Sequence, residues 1–202
     1  MAHPEEGSPE HRREILHGDV HEEIQSLEIA AQNLVDFPDA PWELRLQLAR
    51  QCWDEVRHAR TFLRRLRDLG GFRGEFPVID QEWGLVCMFD SLPGRLAVQN
   101  RVFEAGSLDV LKQASDVTRR WGDDVTADVI DAILPDEIQH VRFGNEWLAR
   151  LRAENPRALL QAVSAMSAAR AWIRALVPAG EAIGHDVPEN TEDRRDAGFD
   201  LA

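Results

Sequence analysis

One seven-residue pattern occurs twice, and it decides what this chain can fold into. Residues 54–60 read Asp-Glu-Val-Arg-His-Ala-Arg, and residues 136–142 read Asp-Glu-Ile-Gln-His-Val-Arg. Asp, Glu, His and the closing Arg keep their places at an offset of 82 residues (137 − 55 = 82). Each copy sets its Glu within an apolar stripe of helical period. The first stripe is Leu48, Cys52, Glu55, Ala59, Phe62, Leu66 and Leu69; the second is Ile130, Ile133, Glu137, His140, Gly144, Trp147 and Leu151. Residues three or four apart share one helix face. Each copy therefore carries a carboxylate and an imidazole toward a core. A carboxylate is costly to bury alone and must be paired or bound to a cation. Two such helices have to pack around a charged centre.

The rest of the chain supplies partners for them. A first helix is expected from about Asp19, a good N-cap, to Val35. Phe37-Pro38-Asp39-Ala40-Pro41 breaks it. A second helix follows Pro41 and stops at Gly70-Gly71, a C-terminal stop signal. Periodicity dissolves from Phe72 to about Ser91, which reads as a long crossover. A third helix runs from about Pro93 to Trp121, and a fourth from Asp124 to about Ala153, with Pro135 expected to kink or break it. A fifth covers roughly Arg157 to Leu176. Two helix hairpins joined by one long crossover form the all-α, ferritin-like four-helix bundle. The expected organisation is a flexible N-terminal tail over 1–14, a helical domain over 15–177 and an extended C-terminal tail over 178–202.

A two-metal bundle site takes Glu-x-x-His from two helices and one Glu from each of the other two. Glu55, His58, Glu137 and His140 fill the first role. Glu104 is the only acid between Ser91 and Asp109, 33 residues before Glu137 (137 − 104 = 33). In the first helix Glu22, Glu23 and Glu28 compete. Glu23 shares its stripe with Val20, Leu27, Ala30 and Leu34, whereas Glu22 lies with Gly18, Gln25 and Ser26. Glu23 is preferred, with Glu28 as the alternative ligand or a supporting acid. Four carboxylates would balance two divalent ions. Asp54 and Asp136, each one turn before its own histidine, are expected to accept that ring's outer N–H. His21, two residues from Glu23, is a further candidate beside the site. His3, His11, His17 and His185 are read as surface residues, and Cys52 as a small buried side chain that can line a pocket.

Composition removes several classes. The formal net charge of -13 argues against nucleic acid as a partner. The basic run from Arg57 to Arg67 reads as a solvated helix face. No stretch approaches the length of a membrane span. Two cysteines make no disulfide scaffold and fit a reducing, cytoplasmic setting. With no tyrosine in the chain, a tyrosyl radical has no place in its chemistry.

The run from His21-Glu22-Glu23-Ile24-Gln25 to Phe37-Pro38 resembles the opening of a ferritin-like family of uncharacterised bacterial proteins, typically His-x-Glu-Leu-Gln. Glu104-Ala105, Leu108-Asp109, Asp136-Glu137, His140-Val141, Gly144 to Trp147 and Ala197-Gly198-Phe199 continue the likeness from about Ile15 to the end. The resemblance implies a ferritin-like fold, a di-metal centre and a more distant relation to tRNA-hydroxylase-like proteins. Asp54-Glu55-Val56-Arg57-His58 is also similar to a motif of bacterial multicomponent di-iron monooxygenases. The chain departs from the family at Gly106-Ser107, where Arg-Gly is usual, and at Pro135, where a charged residue is. Loss of that Arg suggests a pocket beside Gly106 and Ser107.

These readings favour a non-haem di-iron oxygenase or oxidase. It would use O2 as co-substrate to hydroxylate, desaturate or N-oxygenate a small organic substrate, with an electron-donor protein as partner. Manganese or a mixed manganese–iron pair would suit the same ligands, and a homodimer is compatible. The alternatives are a ferroxidase that handles iron and a tRNA-hydroxylase-like modification enzyme.

Overall fold

Ser8 and Pro9 start the first helix well before Asp19. The Ser8 hydroxyl accepts from the His11 N–H, and Pro9 in the first turn sacrifices no hydrogen bond. This helix, α1, spans Pro9–Asp36, so residues expected in a loose tail belong to it. The computed structural model describes residues 4–176 and 189–200. Helix α2 spans Trp42–Asp68 and ends where Gly70 takes a positive φ of 81°. The crossover holds a short helix, α3 (Glu82–Cys87). The third long rod is α4 (Leu92–Val98), a π-helical turn (Gln99–Phe103) and α5 (Glu104–Arg120). Gly122 turns the chain into α6 (Asp124–Glu154), which runs unbroken through Pro135. Helix α7 spans Arg157–Leu176, and α8 spans Thr191–Asp196.

The described residues form an all-α helical bundle without strands. Helix α1 packs on α2, α5 on α6, and α2 on α6. The pairs Gln47–Trp147, His140–Asp54, His58–Asp136 and Arg65–Thr126 step down α6 as they step up α2. These two helices are therefore antiparallel. Helix α7 lies against α4, and α8 against α5 and α6. The tail region is thus not wholly extended: α8 interrupts it, while 177–188 lies outside the described residues.

Two apolar clusters set the level of the site. One joins Leu16 and Val20 of α1, Phe62 and Leu66 of α2, and Ile130 and Ile133 of α6, with Leu111 of α5 packed on it. The other joins Leu44 and Leu48 of α2, Leu96 of α4, and Phe143 and Trp147 of α6, with Leu34 of α1 packed on it. In all four rods the acids and histidines of the repeat fall between these two layers. No described helix is long and apolar enough to cross a membrane.

Candidate metal centre

Glu55, His58, Glu104, Glu137 and His140 are all buried, at 3% exposure or less. The Glu23 carboxylate reaches the same place at 13% exposure. Ligand atoms of Glu23, Glu55, His58 and Glu137 lie within 4.8 Å of one another, as do those of Glu55, Glu104, Glu137 and His140. Glu55 and Glu137 belong to both sets.

The ring nitrogens point the same way in both halves. Nδ1 of His58 lies 3.2 Å from Glu23 Oε2, 3.1 Å from Glu55 Oε2 and 3.1 Å from Glu137 Oε1. Nδ1 of His140 lies 3.3 Å from Glu55 Oε1, 3.3 Å from Glu137 Oε2 and 3.9 Å from Glu104 Oε2. A ring N–H carries one proton and cannot serve three carboxylates well. Three carboxylates around one nitrogen suit a cation. This buried cluster can hold a metal ion.

The family model described as "Protein of unknown function (DUF455)" matches residues 1–202. The chain belongs to this family. No curated protein and no solved structure matches it. The DUF455 description names no chemistry.

The outer nitrogens of this DUF455 chain hold a result that the spacing did not anticipate. His58 Nε2 faces Asp136 Oδ2 at 3.4 Å, and His140 Nε2 faces Asp54 Oδ2 at 3.5 Å. Asp136 hydrogen-bonds His58 of the other repeat, and Asp54 lies beside His140 in the same crossed sense as an ion-pair contact, so neither aspartate meets its own histidine's outer nitrogen. Four residues climb about 6 Å along a helix axis, which lifts His58 a level away from Asp54. The antiparallel α6 brings His140 to that level instead. Arg57 ties the two aspartates together, donating at 2.8 Å to each.

The ionisation of the cluster follows from its crowding. Burial pushes the His58 imidazolium down, but Glu137, Glu23 and Glu55 outweigh it and raise its pKa to about 12. His140 is likewise held well above its ordinary value, against burial, by Glu137, Glu55, Asp54 and Glu104. Burial drives the Glu23 and Glu104 carboxyls up, and neighbouring carboxylates add to it. Burial would raise Glu137 too, yet the two histidines hold it well below the usual range. For Asp54, His140, Arg57 and Arg50 similarly overcome burial and depress the carboxyl.

Other candidates lie elsewhere. Glu28 is exposed, because five residues carry it well round the helix from Glu23. Glu22 is exposed too. His21 lies outside both sets and stands one turn from His17. His17 is buried, not on the surface, and its Nε2 accepts from the Gly74 N–H at 2.8 Å. His3 and His185 lie outside the described residues. Cys52 sits in the α1–α2 seam, its thiol 3.8 Å from the Leu27 carbonyl. Burial and Glu55 raise that thiol to about 11. Ser107 donates back to the Phe103 carbonyl at 3.3 Å, and the space beside Gly106 is open. Neither lines the cavity described below.

Four features escaped the sequence reading. Gln51 and Gln99 both donate to Glu104 Oε1, at 2.8 and 2.7 Å. The π-helical turn ends at Glu104, a distortion often found at functional sites. Glu82 of α3 is buried, and burial with the charges of Glu22, Glu55 and Glu137 raises its carboxyl well above the ordinary range. Gln99 opposes that rise by hydrogen bonding to it. Only the unpaired glutamines on otherwise apolar faces could have signalled this ring of support.

Proposed function

We propose that this protein is a ferritin-like di-iron oxygenase or oxidase acting on a small organic substrate, with electrons from a donor protein. One observation carries the reading: two ligand sets share Glu55 and Glu137, and each is completed by one further Glu and one His Nδ1. Four carboxylates and two neutral imidazoles balance two divalent ions. Buried iron in such a centre supplies the electrons and the Lewis acidity for reducing O2.

The chain's own residues divide the work. Glu55 and Glu137 would be shared between the two ligand sets, while Glu23 and Glu104 would serve one each. Asp54 and Asp136 hold the imidazole rings with Nδ1 inward. Gln51 and Gln99 hold Glu104. Glu82, whose carboxyl is raised well above the ordinary range by burial and by the charges of Glu22, Glu55 and Glu137, would be the acid that gives or takes a proton near the ligands. The apolar clusters on either side exclude water. Manganese or a manganese–iron pair would fit the same donors.

The test is metal content per chain after anaerobic loading with ferrous iron, on wild type and Glu137→Ala, with circular dichroism to check folding. About two ions in wild type, with clear loss in the variant, supports the site. Iron near zero in both overturns it. Loaded, reduced protein should then consume O2 on rapid mixing, and inertness to O2 would leave a metal site without oxidase chemistry.

A further inference from the structure

A cavity of about 170 Å3 opens between the first half of α1, the second half of α5 and the start of α6. Ile15, Leu16, Val117 and Ile130 give it apolar walls, and the Trp121 indole closes one side. An apolar cavity of about 150 Å3 takes up benzene. The space is therefore that of one six-membered ring with a short substituent.

One wall is not apolar. Asp19 lines the cavity. Among the described residues its carboxyl has no hydrogen bond and no ion pair, and the one charge that acts on it is that of Glu22, of like sign. Arg12 also lines the cavity but is engaged elsewhere. Its guanidinium donates to the carbonyls of Trp121 at 2.8 Å and Gly7 at 2.9 Å, and it lies 3.6 Å from Asp123. Asp19 is half-buried at the edge of this apolar space and has no counter-charge beside it. Burial and the like charge of Glu22 raise the Asp19 carboxyl well above its ordinary value. A net charge of -13 also draws cations toward the surface that holds this opening.

We propose that this cavity is a binding site for a small apolar amine, a ring-sized hydrocarbon body whose ammonium pairs with Asp19. The site lies one helical turn from Glu23 along α1 and needs no metal. Its binding and that of iron are separately measurable.

The probe is benzylamine, with benzyl alcohol as its neutral counterpart, titrated calorimetrically at neutral pH into the full chain. Benzylamine should bind wild type about tenfold more tightly, the discrimination of one charge-assisted hydrogen bond. Asp19→Asn should bring the two affinities within about twofold, and Ala114→Phe, which fills the cavity, should remove both. Circular dichroism checks each variant, and Asp19→Asn decides alone if Ala114→Phe does not fold. No benzylamine binding, equal affinity for the two probes in wild type, or a preference that survives Asp19→Asn would overturn the proposal.

Discussion

Asp54 lies 3.5 Å from Nε2 of His140, a residue on the opposite helix of the repeat. Its mirror contact joins Asp136 to His58. The two halves of the centre are thus cross-braced, and each metal position depends on both repeat helices. Asp54→Asn should weaken binding at the set that contains His140, by about tenfold or more. A double-mutant cycle locates the coupling. Asp54→Asn should be non-additive with His140→Ala and close to additive with His58→Ala, read by competitive metal titration. Coupling to His58 instead would mean that the cross-brace is absent in solution.

The π-helical turn is held against α6 by a close approach that only glycine permits. Asn100 donates from its side chain to the His140 carbonyl at 3.0 Å, and a Cβ on Gly144 would overlap the Asn100 side chain. Gly144→Ala should therefore cost about 1–3 kcal/mol, the usual penalty for overpacking. It should also disturb Glu104, which follows the turn directly. Thermal unfolding measures the first effect and iron stoichiometry the second. A variant as stable as wild type would show that the turn has room to shift.

How much of this was open to reading is a matter of distance along the chain. Glu55, His58, Glu137 and His140 announce themselves because helical period alone puts each pair on one face. Glu23 could be separated from Glu22 for the same reason, whereas Glu28 lies on an apolar stripe as well and period alone leaves it open; the structure leaves Glu28 exposed. The partners of Asp54 and Asp136 could not be read, since they depend on the relative direction and register of α2 and α6. Glu82 stood in a stretch with no period to favour it, in a helix of 6 residues. Asp19 resembles a cap and places the start of α1 too late, whereas Ser8-Pro9 is the stronger start. The π-helical turn has no local signature at all.

The start of α6 offers a pH test away from the metal centre. Asp123 accepts from the Thr126 N–H at 3.1 Å and pairs with Arg65 at 2.7 Å. Burial alone would raise its carboxyl, but Thr126 and Arg65 together lower it. A carboxyl depressed in the folded state stabilises above the unfolded value of about 3.9 and loses that contribution as pH falls through the folded value. Asp123→Ala should cost about 1 kcal/mol or more at pH 7. The gap from wild type should narrow below about pH 4, measured by urea unfolding across pH. A gap that is constant from neutral to acid pH would assign the effect to packing and not to charge.

The segment 189–200 is fastened to the bundle by a charged joint and by Ala197, which is buried with Ala105, Leu108 and Val141. Arg194 grips Asp109 with two hydrogen bonds, at 2.9 and 2.5 Å, and Asn190 donates its backbone N–H to the same carboxylate at 2.8 Å. Phe199 lies between the guanidiniums of Arg101 and Arg194, at 4.7 and 5.4 Å. Arg142 and Asn145 of α6 hold the Asp196 and Ala197 carbonyls. Asp109 is buried where Arg194 and Asn190 of this segment pair with it, so release of the segment opens its carboxylate to water and spares the bundle the full cost of an unpaired charge. Arg194→Ala should therefore detach α8 without unfolding α5 or α6. Amide hydrogen exchange should rise about tenfold or more within residues 191–199 and stay near wild type in the two long helices. Faster exchange throughout α5 and α6 would show instead that this segment is part of the cooperative core.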